Sequence, residues 1–190
     1  LKSRQTLNKL TQDCAKYTLK HLKLDKALKA AELSVLITDN KTIQKINKET
    51  RGKNYATNVL SFPFLDFKEG LFKVDNDLDS LFQGNDTAYD ASAVSSSRKL
   101  GSKTNINLSL KRKSQTPIIL GDIICSYEKL QEEANAQSKP INNHFTHLMV
   151  HSILHLLGFD HEKAKDAKKM EALEIEILAK YFKIKNPYIS

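Results

Sequence analysis

Three histidines, His151, His155 and His161, carry the strongest chemical signal in the chain, in the stretch His151-Ser-Ile-Leu-His155-Leu-Leu-Gly158-Phe-Asp-His161. Residues four apart lie one above the other on a helix, so His151 and His155 can converge on one metal ion. Gly158 follows within a turn, and glycine lets a chain leave a helix through the left-handed conformation. The chain can then swing back and bring His161 to the same ion. Three nitrogen ligands leave the fourth position of a tetrahedral zinc open to water, the pattern of catalytic rather than structural sites. The expected cofactor is one Zn2+ ion and the expected chemistry is metal-dependent hydrolysis.

The helix that must position these residues reads as buried. Leu148, Met149, Val150, Ile153, Leu154, Leu156 and Leu157 make it apolar on most sides. A histidine stripe in such a helix needs partners, because unpaired buried polar groups are costly. The spacing matches the long zinc-protease pattern H-E-x-x-H-x-x-G-x-x-H at every histidine and at the glycine, but Ser152 stands where the glutamate base belongs. Serine cannot activate water near neutral pH, and Met170 sits in what reads as a helix rather than a Met-turn. A peptidase is therefore the second reading.

Two more blocks stand upstream: Asn47-Lys-Glu-Thr-Arg51-Gly52 running into Thr57-Asn-Val-Leu-Ser-Phe-Pro63, and Leu120-Gly-Asp-Ile123. With them, the histidine segment resembles the H-G-x-L-H-L-x-G-Y-D-H signature of the YbeY family, bacterial rRNA maturation factors assigned as metal-dependent, single-strand-specific endoribonucleases. The resemblance covers most of residues 33–65 and 117–182. It departs at Ser152, usually Gly, at Phe159, usually Tyr, and in a long insertion between the second and third blocks. It implies single-stranded RNA as substrate, ribosomal RNA and the ribosome or its precursors as partners, and Arg51 as a functional residue facing the metal cleft. A guanidinium fork suits a phosphodiester and the charge that grows on it during cleavage. Arg51 and His151 are thus the catalytic candidates, with His151, His155 and His161 as metal ligands; beside the peptidase, the other alternative is a non-catalytic ribosome-associated factor with a structural metal. Read without the family, Arg51 has the lesser alternative of merely complementing a helix dipole.

Neighbouring residues carry weaker signals. Asp160 could orient an imidazole or cap the next helix, and Asp122 could tie down backbone at a strand end. Asn58 and Ser61 could line the cleft or bind backbone. His147 and His144 extend the stripe backwards as packing or supporting residues, and His21 carries no signal.

Thirty basic side chains against twenty-two acidic ones give a net charge of +8, which favours polyanionic partners. Joined to a hydrolytic site, that excess tilts the substrate toward nucleic acid rather than peptide. Cys14 and Cys125 stand in no metal-binding spacing and read as small core residues of a reducing compartment. The opening Leu-Lys-Ser-Arg-Gln is no secretory signal, and no stretch approaches the roughly 20 apolar residues of a membrane span. The expected location is the cytoplasm.

The periodicity predicts an amphipathic helix over 4–23, a strand over 33–38, and a helix between an Asp39 cap and a Gly52 stop. Strands follow over 56–62, ended by Pro63, and over 117–125, broken at Gly121-Asp122. Helices then fill 127–137, 141–157 and 163–182. The fold class is α+β: residues 1–190 as a single metal-dependent hydrolase domain, a small mixed sheet covered by helices, with a zincin-like metal helix. Residues 66–116, rich in Ser, Asn, Asp and Lys, read as a flexible polar insertion. Its first half is acidic. Its second half carries Arg98, Lys99, Lys103, Lys111, Arg112 and Lys113, a candidate RNA-tracking arm. Within it, Ile106, Leu108 and Leu110 alternate with polar residues, a second reading as a short hairpin strand.

Overall fold

Buried and half-buried side chains alternate along all of β1 (Ala31–Thr38), the period-two signature of a strand whose faces meet different surroundings. A computed structural model describes residues 4–26, 28, 31–64, 104–109 and 118–188. Among these, β1, β2 (Val59–Pro63), β3 (Thr104–Ser109) and β4 (Ile118–Ser126) form one mixed sheet in the order β2-β4-β1-β3. β1 runs parallel to β4 and antiparallel to β3, and β2 runs antiparallel to β4. The expected α+β class and small mixed sheet are what the chain adopts.

The two faces of the sheet feed two cores. Leu33, Val35, Ile37, Ile123 and Cys125 pack with apolar residues of α1 (Arg4–His21), α4 (Ile141–Leu156) and α5 (Ala164–Ile177). Leu60, Phe62 and Ile124 pack with Ile43 and Ile46 of α2 (Asn40–Arg51). α3 (Tyr127–Ala136) adds Leu130 to the larger core. α4 is the buried helix its sequence predicts, with Phe145, Met149, Val150, Ile153, Leu154 and Leu156 removed from solvent. Cys14 and Cys125 are buried free thiols, as expected.

The predicted break at Gly121-Asp122 is instead a bulge within a continuous β4. Glu32 opposes Ile119 while Leu33 opposes Gly121, so Leu120 is the extra residue. The bulge explains why Leu120 and Ile123, three apart, enter the same core. Gly121 has φ +145°, and a Cβ there would stand 2.2 Å from the Phe62 carbonyl oxygen and 2.9 Å from Leu156 Cδ2. Only glycine fits this crossing of β2, β4 and α4. Asp122, expected at a strand end, lies inside β4 opposite Phe62.

Other boundaries shift for local reasons. The Asp39 carboxylate caps α2 by accepting the Thr42 N–H at 2.8 Å, and Gly52 closes it at φ +69°, both as expected. β2 begins at Val59 rather than Ala56. Pro63 belongs to β2 because an edge strand tolerates a missing N–H. α5 gives way to a π-helical turn over Leu178–Phe182 instead of running through. Of the predicted insertion 66–116, only 104–109 fall among the described residues. They are strand β3, paired with β1 rather than in a hairpin with the next strand, and the proposed basic arm lies outside the described residues. No helix among the described residues is long and apolar enough to cross a membrane.

Candidate metal centre

α4 presents His144, His147, His151 and His155 at spacings of three, four and four, one stripe along an otherwise apolar helix. Each finds a partner, as burial requires. His144 Nε2 meets Glu133 of α3 at 2.9 Å. His147 Nε2 and His151 Nδ1 meet the two oxygens of Glu174, on α5, at 2.8 and 2.9 Å. His155 Nδ1 donates to the Phe159 carbonyl at 2.9 Å.

The helix then stops as its glycine predicts. Gly158 takes φ +84°, its N–H bonds the His155 carbonyl at 3.0 Å, and the Phe159 N–H bonds the Leu154 carbonyl at 3.0 Å. This paired closure reverses the chain and returns His161 to the helix end. The candidate ligand nitrogens of His151, His155 and His161 all lie within 4.8 Å of one another. His151 Nε2 and His155 Nε2 stand 3.2 Å apart, each on a ring whose Nδ1 is already engaged. Two bare Nε2 lone pairs aimed at one point, joined by a third imidazole, fit a transition-metal ion. Burial, then the rings of His151 and His161, push His155 down to about 4, so it stays in the neutral, ligating form.

Arg51 faces this cluster. It ends α2, its guanidinium donates to the Ser61 carbonyl at 3.1 Å, and it lies with His151, His155 and His161 around one cleft of about 780 Å³. Lys53, Asn58 and Ser61 line the same cleft, beside Phe159, Asp160 and Glu162. The surrounding charge is mixed, with Arg51 and Lys53 as the cations and Asp160 and Glu162 as the acids of the lining.

A profile described as Endoribonuclease YbeY matches residues 2–182 of the chain. The chain belongs to the YbeY endoribonuclease family. The YbeY endoribonuclease of Bartonella henselae is 35% identical over 182 residues, 96% of this chain and 86% of that protein. That of Magnetococcus marinus is 35% identical over 164 residues, 86% of each chain. That of Bradyrhizobium diazoefficiens is 34% identical over 165 residues, 87% of this chain and 68% of that protein.

His151 and Arg51, a hundred residues apart, line one cleft, and the supporting residues separate clearly. Asn58 lines the cleft while its Oδ1 accepts the Val59 N–H at 2.7 Å and its Nδ2 donates to Glu133 at 3.0 Å. Ser61 contributes its backbone carbonyl to Arg51. Asp160 accepts the His161 backbone N–H at 2.7 Å, and α5 is capped at Lys163 without a side-chain bond, so Asp160 fixes chain rather than capping α5. His147, turned to Glu174, stands as a supporting residue outside the cluster, and His21 meets Glu176 at 3.1 Å.

Glu174 belongs to none of the sequence motifs. It is 1% exposed and accepts from His147, His151 and the Tyr188 hydroxyl. Burial pushes its carboxyl up, but the hydrogen bonds from His147 and His151 outweigh that and hold it at about 2. A signal did exist: Glu174 falls between Met170 and Ile177 on the apolar face of its helix, where a carboxylate needs a reason.

Proposed function

We propose that this chain is a zinc-dependent endoribonuclease that cuts single-stranded RNA during ribosomal RNA maturation, with the ribosome or its precursors as partners, in the cytoplasm. The observation that supports it most is the convergence of three imidazole nitrogens in a cleft that Arg51 also lines. His151, His155 and His161 would hold the ion. When bound, zinc would supply Lewis-acid polarisation of a phosphoryl oxygen and acidify water. Arg51, with its planar fork, binds the scissile phosphate and offsets charge developing on it. Lys53 adds a second cation along the same wall.

A peptidase reading is weaker at one atom group. Ser152, directly after the first histidine, is wholly buried, so no carboxylate stands at the position where zinc proteases carry their base. The reading is tested on one metal-quantified preparation, assayed against single-stranded RNA, duplex RNA and peptides. Cleavage of single strands, lost together with bound zinc in His155→Ala, is the expected result. Peptide cleavage with RNA left intact overturns it, as does full metal occupancy in the His151→Ala, His155→Ala, His161→Ala triple variant.

A further inference from the structure

Glu174 sits on the opposite edge of the His151 ring from His155, bonded to Nδ1 at 2.9 Å while Nε2 faces His155 at 3.2 Å. An ionised carboxylate can only accept. The proton of neutral His151 must therefore lie on Nδ1, and Nε2 must carry the lone pair. The other carboxylate oxygen is taken by His147 Nε2 at 2.8 Å, so the group cannot rotate away from one histidine without leaving the other. The Tyr188 hydroxyl donates to that same oxygen, and its ring meets His147 edge-on with centroids 5.3 Å apart.

The segment carrying Tyr188 is itself tied down. The Ile184 N–H bonds the Leu178 carbonyl at 3.2 Å, and Lys139 Nζ donates to the Pro187 carbonyl. Tyr188 is 47% exposed, so the hydroxyl bond and not core packing is its distinctive contribution. His155, by contrast, has its tautomer set by a backbone carbonyl and needs no such support.

We propose that Glu174 is a positioning residue for the three-histidine centre, fixing His151 with its Nε2 lone pair toward His155 and His161, and that His147 and Tyr188 hold Glu174 in place. The assignment rests on the reading of those histidines as a metal site. A carboxylate behind a ligating imidazole sets its tautomer and orientation and raises its basicity.

The test compares the parent chain with Glu174→Gln, Tyr188→Phe and His155→Ala. Zinc affinity is measured by competition with a chromophoric chelator, the cobalt(II)-loaded visible spectrum reports ligand geometry, and long-range 15N–1H spectra of the metal-free chain report the His151 tautomer. A glutamine cannot accept from three donors, so Glu174→Gln is expected to weaken zinc binding by roughly 10- to 100-fold. It should also shift the cobalt spectrum and give His151 a mixed tautomer. Tyr188→Phe is expected to weaken binding by a smaller factor in the same direction. A Glu174→Gln chain that melts earlier but keeps parental affinity, cobalt spectrum and tautomer overturns the assignment and leaves Glu174 a folding residue. Should Glu174→Gln not fold, unchanged affinity and tautomer in Tyr188→Phe overturn the part assigned to Tyr188, and a mixed His151 tautomer there supports the whole. If His155→Ala binds zinc as tightly as the parent, the metal reading itself fails, while the metal-free tautomer spectra still decide whether Glu174 orients His151.

Discussion

Arg51 donates from Nη2 to the Ser61 carbonyl oxygen at 3.1 Å, and its guanidinium lies 5.8 Å from the centre of the Phe62 ring. An arginine that only complemented the C-terminal end of α2 would turn back to the carbonyls of its own helix. This one reaches across to β2 and leaves the rest of its fork at the cleft. Arg51→Ala should keep fold and metal but lower single-turnover RNA cleavage by about 100-fold, the scale of losing one donor to a developing anion. Arg51→Lys should recover part of the loss, because the charge returns without the fork. Parental cleavage by Arg51→Ala would reduce the residue to a helix-end charge.

Gly121→Ala should damage fold and site together. The substitution combines a φ that alanine disfavours with overlap against Phe62 backbone and Leu156, the last helical residue of α4. A loss on the order of 3 kcal/mol is expected in urea unfolding. Metal affinity should fall as well, since relief of the clash moves the helix end that carries His155. A variant with parental midpoint and affinity would show that β2 and α4 separate there without resistance.

Stability should carry an acid limb from Glu133. Burial pushes its carboxyl up, but bonds from His144 and Asn58 outweigh that and hold it below the usual carboxylate range. A carboxyl whose folded pKa lies below its unfolded value stabilises the fold above the unfolded pKa. That contribution disappears as pH falls through the folded value. Glu133→Gln should therefore flatten the stability profile on the acid side. Identical acid limbs in both chains would contradict the linkage.

The RNA-tracking role of the basic residues can be read separately from β3. β2 and β3 lie at opposite edges of the sheet, three strand spacings of about 4.8 Å apart. Replacing residues 68–101 by a Gly-Ser linker of about a dozen residues has the reach to join them, and loop length itself costs little. The shortened chain lacks Arg98 and Lys99 and should show a flatter salt dependence of RNA binding, by about 0.7 for each single-strand phosphate it no longer neutralises. An unchanged slope would mean that Arg98 and Lys99 do not touch RNA. A cut that extends into 104–109 tests something different, because it strips β1 of a neighbour.

What could be read from the sequence was local. His151, His155 and Gly158 announce themselves because four residues make a helical repeat and glycine alone leaves a helix cheaply in the left-handed region. Asp39 and Gly52 were legible for the same reason, each acting within one turn. Glu174 depends on α5 folding back across α4, twenty-three residues after His151, a contact that periodicity cannot express. Gly121 was visible as an interruption, but its meaning required knowing that β2 passes over it. β3 was legible as alternation while its partner was not, since pairing with β1 depends on the order of the whole sheet.

The two walls of the cleft are made at different times. Arg51 and Ser61 belong to α2 and β2, while the histidines belong to α4 and the turn after it. Synthesis delivers the arginine wall first. Among the described strands β2 has β4 as its sole neighbour, so that wall lacks its strand partner until residue 126 has emerged. Chains stalled on the ribosome short of His161 should show no cleavage of added RNA, and cutting by such a chain would mean that one wall suffices. A nuclease assembled in this order would have no complete cleft until the histidine segment has left the ribosome.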